Sequence, residues 1–171
     1  MGLLLITVFV SVMLGACQGQ QCPHGWTFAL GNCYRWYNGP DRLNWYDAQN
    51  FCQHEASQDC GWPCNSNLVS IVSGEENSFL LDYWRTSREP VDPSLGQHYW
   101  IGFSEIGLTL SFEWSDGSPI TYNNWDNGEP NDGSGVQFCG VMWKGVHNED
   151  IGTWDDQPCT LEKPFICKYR L

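Results

Sequence analysis

The chain has 171 residues, room for one compact domain of roughly 150 residues once an apolar leader is set aside, and little for a second. Its composition, 42% hydrophobic and only 16% charged with 10 Trp, 18 Gly and 9 Cys, excludes a disordered tail, a coiled coil and a collagen-like rod. With 8 Lys and Arg against 20 Asp and Glu, the net charge of -12 repels nucleic-acid phosphates and anionic lipid headgroups, and makes a cation the natural partner.

The first element is an apolar run from Leu3 to Leu14, too short for the ~20 residues of a membrane-spanning helix. Small residues follow it, Gly15, Ala16, Cys17 and Gly19, in the layout of a secretory signal, although the segment before the run carries no Lys or Arg. Residues 1–19 are therefore read as a signal peptide and 20–171 as one secreted domain with no membrane insertion. Removal of Cys17 leaves eight Cys, an even number that in an oxidising compartment implies four disulfides in any of 105 pairings.

Asn44 to Glu55 places Trp45, Ala48, Phe51 and Cys52 on one helical stripe. Ser73-Gly74-Glu75-Glu76 is a capping box, with Phe79, Leu80, Tyr83 and Trp84 as the apolar face of a second helix behind it. Short β-prone runs follow: His98 to Phe103, Phe112 to Trp114, Gln137 to Trp143 and Pro164 to Tyr169. The expected fold is α+β, with strands towards the end. Between them, Ser115 to Gln137 is too long for a routine connection, and Trp114, Tyr122 and Trp125 are placed to pin it to the body.

Nine carboxylates lie between Glu113 and Asp156: Glu113, Asp116, Asp126, Glu129, Asp132, Glu149, Asp150, Asp155 and Asp156, against a single Lys144. Acids that converge repel one another unless a cation joins them. Oxygen donors from Asp, Glu, Asn and Gln on a long loop suit Ca²⁺. No Gly-x-Ser-x-Gly elbow or His-Glu-x-x-His helix is present, and His24, His54, His98 and His147 have no partners at catalytic spacing. The pair Glu113 and Asp116 only mimics a glycosidase dyad, so the chain reads as a binding protein and not an enzyme.

The order of residues is more specific than their composition. Glu129-Pro130-Asn131, then Gln137-Phe138-Cys139, then Trp154-Asp155-Asp156-Gln157-Pro158-Cys159 resembles the long-loop sugar site of C-type lectin domains. Cys22-Pro23-His24-Gly25-Trp26, Cys33-Tyr34, Leu68-Val69-Ser70-Ile71, Trp100-Ile101-Gly102, Trp114-Ser115-Asp116-Gly117, Asn124-Trp125 and Phe165-Ile166-Cys167 agree, so the resemblance covers Cys22 to Cys167. It implies a C-type lectin fold with small antiparallel sheets, the disulfides Cys22–Cys33, Cys52–Cys167 and Cys139–Cys159, and a cis Glu129-Pro130 bond. Cys60 and Cys64 fall outside that scheme and are expected to bond to each other.

The resemblance further implies one Ca²⁺ held by Glu129, Asn131, Gln137, Asp155 and Asp156, the last also through its carbonyl. The first four of these would contact a sugar. Each of two vicinal sugar hydroxyls would donate to a carboxylate and accept from an amide, Glu129 with Asn131 and Asp155 with Gln137. The second pair departs from the family, which usually has Glu at 137 and Asn at 155. The exchange preserves ligand charge and reverses the pair's polarity. Mannose- or GlcNAc-type sugars are favoured, with galactose left open by the triplet; Gly133 stands where galactose binders of the family carry a stacking Trp. An auxiliary calcium site is not expected: Asp132 is present and Glu105 could substitute for an Asp, but Thr109, Gln137 and Phe138 stand where acids are needed. The expected partners are glycans on cell surfaces or glycoproteins, and weak single-site binding implies a homodimer or higher homo-oligomer. The alternative is a mineral-matrix or ice-binding protein built on the same fold.

Overall fold

A computed structural model describes residues 22–38, 42–58, 65–86, 98–107, 111–143 and 152–171. In chain order these form β1 (Thr27–Ala29), β2 (Asn32–Tyr37), α1 (Trp45–Gln58), β3 (Ser66–Leu68), α2 (Gly74–Thr86), β4 (His98–Glu105), β5 (Phe112–Trp114), β6 (Cys139–Trp143), β7 (Trp154–Gln157) and β8 (Phe165–Arg170). The architecture is α+β, as expected, and both helices stand within a few residues of their predicted bounds. The signal segment and the Cys60–Cys64 pairing lie outside the described residues.

The strands run in the order β1-β2-β8-β4-β6-β7, with β3 added to β8 and β5 to β4. Strand β8 is the hub. It pairs over six residues with antiparallel β2, takes β3 along the same strand, and meets β4 in parallel at Trp100 opposite Phe165. Strands are thus not confined to the end of the chain. In the β1–β2 hairpin, Leu30 and Gly31 both have positive φ, the two-residue turn whose twist matches the strands. Leu-Gly is not the Asn-Gly that advertises such a turn, which hid the hairpin from the sequence pattern.

Asn44 caps α1 by accepting the Asp47 N–H at 3.0 Å. The helix packs its Trp45, Ala48 and Cys52 stripe under β3 and β8, where the Trp45 indole donates to the Ile101 carbonyl at 2.9 Å. Gly102 permits the close approach of strands here, since a Cβ would stand 2.7 Å from the Leu68 carbonyl oxygen. Disulfides Cys22–Cys33, Cys52–Cys167 and Cys139–Cys159 form as implied. The second closes a separation of 115 residues, which on loop-entropy arithmetic removes roughly 4–5 kcal/mol of freedom from the unfolded chain.

A second core cluster centres on Trp154, which touches the rings of Phe103, Trp114, Tyr122 and Trp125. Two of those rings, Tyr122 and Trp125, belong to the long loop, so burial of aromatic surface holds the loop's first half. The capping box of α2 is half formed: Glu76 N–H donates to Ser73 Oγ at 3.1 Å, but the Glu76 carboxylate turns inward. There it accepts from Tyr34 Oη at 2.6 Å and Val72 N–H at 2.9 Å, and pairs with Lys168 Nζ at 2.6 Å. Both charged side chains are 3% exposed. Burial is also the main cause that raises the Tyr34 hydroxyl's pKa, with Glu76 second.

A buried pair of this kind is costly to break, because the surviving charge keeps its desolvation penalty. Glu76→Gln is expected to destabilise the protein by about 3–5 kcal/mol, measured as a lower denaturant midpoint with an unchanged slope.

Candidate functional site

The site is assembled where the long loop is laid along β7. Trp125 bridges to Trp154, Trp154 N–H donates to the Asn124 carbonyl and Asp126 N–H donates to the Trp154 carbonyl, each at 2.8 Å. Asn77 of α2 fixes the start of β7 from the other side, accepting from the Trp154 indole at 2.9 Å and donating to the Gly152 carbonyl at 3.0 Å. The loop then turns through Gly128 and the cis Glu129-Pro130 bond, which delivers Glu129 and Asn131 beside Asp155 and Asp156.

Asp156 is fully buried and each of its carboxylate oxygens accepts a backbone N–H from that turn, Asn131 at 3.0 Å and Asp132 at 2.7 Å. Asp155 Oδ2 accepts from Gln157 Nε2 at 2.6 Å and, more distantly, from the Trp143 indole at 3.3 Å. Asn131 Nδ2 donates to Glu129 Oε1 at 2.8 Å, and Gln137 Nε2 donates to the Asp156 carbonyl at 2.8 Å. The five residues singled out in the sequence therefore stand in one cluster: three carboxylates with oxygens within 4.8 Å of one another, the Asn131 amide bonded to one of them and the Gln137 amide bonded to the Asp156 backbone carbonyl.

Among the described acids of the loop, Glu113, Asp116 and Asp126 do not join. Asp116 accepts from Ser70 Oγ at 2.6 Å and Ser118 N–H at 2.8 Å, and pairs with Arg170 at 2.9 Å, so it braces the loop base and forms no catalytic dyad. Asp126 accepts the Asn127 N–H, and Glu113 is exposed. Glu149, Asp150 and Lys144 lie outside the described residues. Sequence reasoning overlooked Trp143 and Gln157 as supports of Asp155. The signal was available in strand geometry: Gln157 shares a face with Asp155, and Trp143 lies two residues beyond Val141, its cross-strand partner.

Three carboxylates crowd together in the cluster. Burial, followed by the nearby Asp156 and Asp155 carboxylates, pushes the Glu129 carboxyl up to about 7, and burial raises that of Asp155 as well. Glu129 Oε2 is enclosed and receives no N–H or O–H donation. An orphaned oxygen among crowded carboxylates fits a hard divalent cation such as Ca²⁺. It is the one such group of ligands among the described residues.

The comparisons with known proteins agree on one family. The lectin C-type domain model matches residues 41–169. The chain is similar to C-type lectin 9a of Crotalus adamanteus, 33% identical over 96% of this chain and 91% of the relative. Its fold is similar to the cow C-type carbohydrate-recognition domain of CD23, solved in the presence of a GlcNAc2Man3 oligosaccharide, at a TM-score of 0.68 and 28% identity over 88% of this chain and 97% of that one. It is also similar to a calcium-independent type II antifreeze protein, at a TM-score of 0.66 and 27% identity over 86% and 93% of the two chains.

The raised Glu129 carboxyl gives a prediction with a definite sign. Its folded value of about 7 exceeds the unfolded 4.5, so the folded state binds the proton more tightly. The resulting stabilisation is present below the unfolded value and is lost as pH rises through the folded one. In EDTA, the melting temperature should fall between about pH 5 and about pH 8, and Glu129→Gln should flatten that part of the profile.

Proposed function

The chain belongs to the C-type lectin domain family, a family of non-enzymatic binding proteins, and on that premise we propose that it is a secreted, calcium-dependent lectin with its sugar site at Glu129, Asn131, Gln137, Asp155 and Asp156. The observation that carries the proposal is the cluster of Glu129, Asp155 and Asp156 carboxylates, with Glu129 Oε2 enclosed and unsatisfied. A bound Ca²⁺ would supply positive charge and open coordination positions for hydroxyl oxygens.

What the chain contributes is orientation. Glu129 and Asn131, already hydrogen-bonded at 2.8 Å, offer an acceptor and a donor side by side, the combination that one sugar hydroxyl satisfies. Asp155 and Gln137 offer the same chemistry in the opposite sense. Gln137 now donates its amide nitrogen to the Asp156 carbonyl. Turning the amide over brings Oε1 to that carbonyl, an approach of two acceptors that only a cation between them stabilises. A ligand role for Gln137 therefore requires the turned amide, and the hydrogen bond to Asp156 marks where the side chain waits without it.

Gly133 supports the preference for mannose- or GlcNAc-type sugars. It carries no side chain that could stack on a sugar's apolar face as the Trp of the family's galactose binders does. No helix among the described residues is long and apolar enough to cross a membrane, which accords with a glycan-binding role outside the cell. The calcium-independent antifreeze protein of the same fold keeps the mineral- or ice-binding alternative in view. The retained acid and amide set favours the sugar.

The protein should be retained on a mannose column in millimolar Ca²⁺ and released by EDTA or free mannose. Release by EDTA alone, with adsorption to calcium mineral that survives excess monosaccharide, would instead support the alternative. The double exchange Gln137→Glu with Asp155→Asn should change the ratio of mannose to galactose binding while keeping calcium binding; an unchanged ratio contradicts the polarity assignment. Because one open site binds weakly, self-association is expected, and light scattering should give a mass above that of the monomer.

A further inference from the structure

Asp132 follows the sugar triplet and is outside the proposed ligand set, yet three residues of the site close a ring through it. The Asp132 N–H donates to Asp156 Oδ2 at 2.7 Å, Asp132 Oδ1 accepts the Gln137 N–H at 3.0 Å, and Gln137 Nε2 donates to the Asp156 carbonyl at 2.8 Å. In this ring Gln137 donates twice, Asp156 accepts twice, and Asp132 alone both gives and receives a hydrogen bond. The Asp132 carbonyl also accepts the Gly135 N–H at 2.8 Å, tightening the turn over Gly133–Gly135.

The backbone of that turn is unfavourable on its own. Asp132 has φ 47° and Ser134 φ 64°, left-handed values at two non-glycine residues within three positions. Local hydrogen bonds must hold them there. Asp and Asn tolerate this region because their short side chains bond to nearby backbone, as Asp132 does across five residues to Gln137.

We infer that Asp132 is the positioning residue of the site: its carboxylate, by accepting the Gln137 N–H while its own N–H holds Asp156, sets the separation of two of the proposed calcium ligands. In this role one oxygen of Asp132 is committed inside the loop. The inference rests on the calcium-lectin proposal for its consequence, and on the hydrogen-bonded ring alone for its structural content.

Three variants separate its parts. Asp132→Asn keeps an acceptor oxygen and the tolerance of left-handed backbone. Asp132→Gly keeps the backbone freedom and removes the acceptor. Asp132→Ala removes both. In EDTA, amide hydrogen exchange at Gln137 should stay slow in wild type and Asp132→Asn, and accelerate about tenfold or more in Asp132→Gly and Asp132→Ala. In calorimetric titration with Ca²⁺, Asp132→Asn should stay within about threefold of wild type, whereas Asp132→Gly and Asp132→Ala should lose about tenfold or more. The stoichiometry should remain one.

Wild-type exchange and affinity in Asp132→Gly would overturn the inference, because the side chain would then hold nothing. A loss of affinity in Asp132→Asn equal to that in Asp132→Ala, with Gln137 protection intact, would overturn it too, since the charge and not the acceptor would matter. If wild type itself binds no Ca²⁺, the lectin proposal fails, while exchange in EDTA still decides whether Asp132 holds the ring.

Discussion

The Asp156 carboxylate is the interaction on which the rest of the site depends. Buried on β7, it accepts two consecutive backbone N–H groups, from Asn131 and Asp132, and so attaches the turn of the long loop to the sheet. A carboxylate in that position satisfies two donors that a loop of irregular backbone would otherwise leave without partners. Burying it draws in Glu129 and places Asp155 alongside, concentrating negative charge. In the proposed function, the acid that fastens the loop is also one that would hold the cation.

That anchor is effective only because the strands beneath it are rigid. Strand β7 is held by β6 on one edge, by the loop backbone at Asn124 and Asp126 on the other, and by Asn77 from α2. The Trp154 side chain enters the aromatic cluster as the adjacent Asp155 and Asp156 carry the site, so core and site share one short strand. Cys139–Cys159 ties β6 to the segment just beyond β7, and the polar network of Asp116, Ser70 and Ser118 braces the base of the loop.

Helices, the long loop and the site residues were legible in the sequence because each leaves a local signature. The Trp45, Ala48, Phe51 and Cys52 spacing marks α1, the Ser73 cap marks α2, and the Glu-Pro-Asn and Trp-Asp-Asp runs mark the site. The missed elements have weak local signals and are stabilised by distant partners. Strand β3, Ser-Asn-Leu, is buried only because β8 and Gln49 of α1 receive it. Strand β7 is polar by composition, and its strand character comes from pairing with β6. The capping box misled in one respect: Glu76 fits the local pattern, but Lys168, 92 positions away in the chain, claims its carboxylate. The supports of Asp155 and the ring through Asp132 are likewise tertiary facts.

Trp154 has a consequence of its own. Its indole is enclosed by the rings of Phe103, Trp114, Tyr122 and Trp125 and donates to Asn77, while the peptide units on its C-terminal side carry Asp155 and Asp156. A strand displaced by fractions of an ångström at those carboxylates must carry this fluorophore with it, through surroundings dense enough to quench or exchange excitation. Were those carboxylates to take up a cation, emission from this indole would be a native signal placed to respond, with no added label.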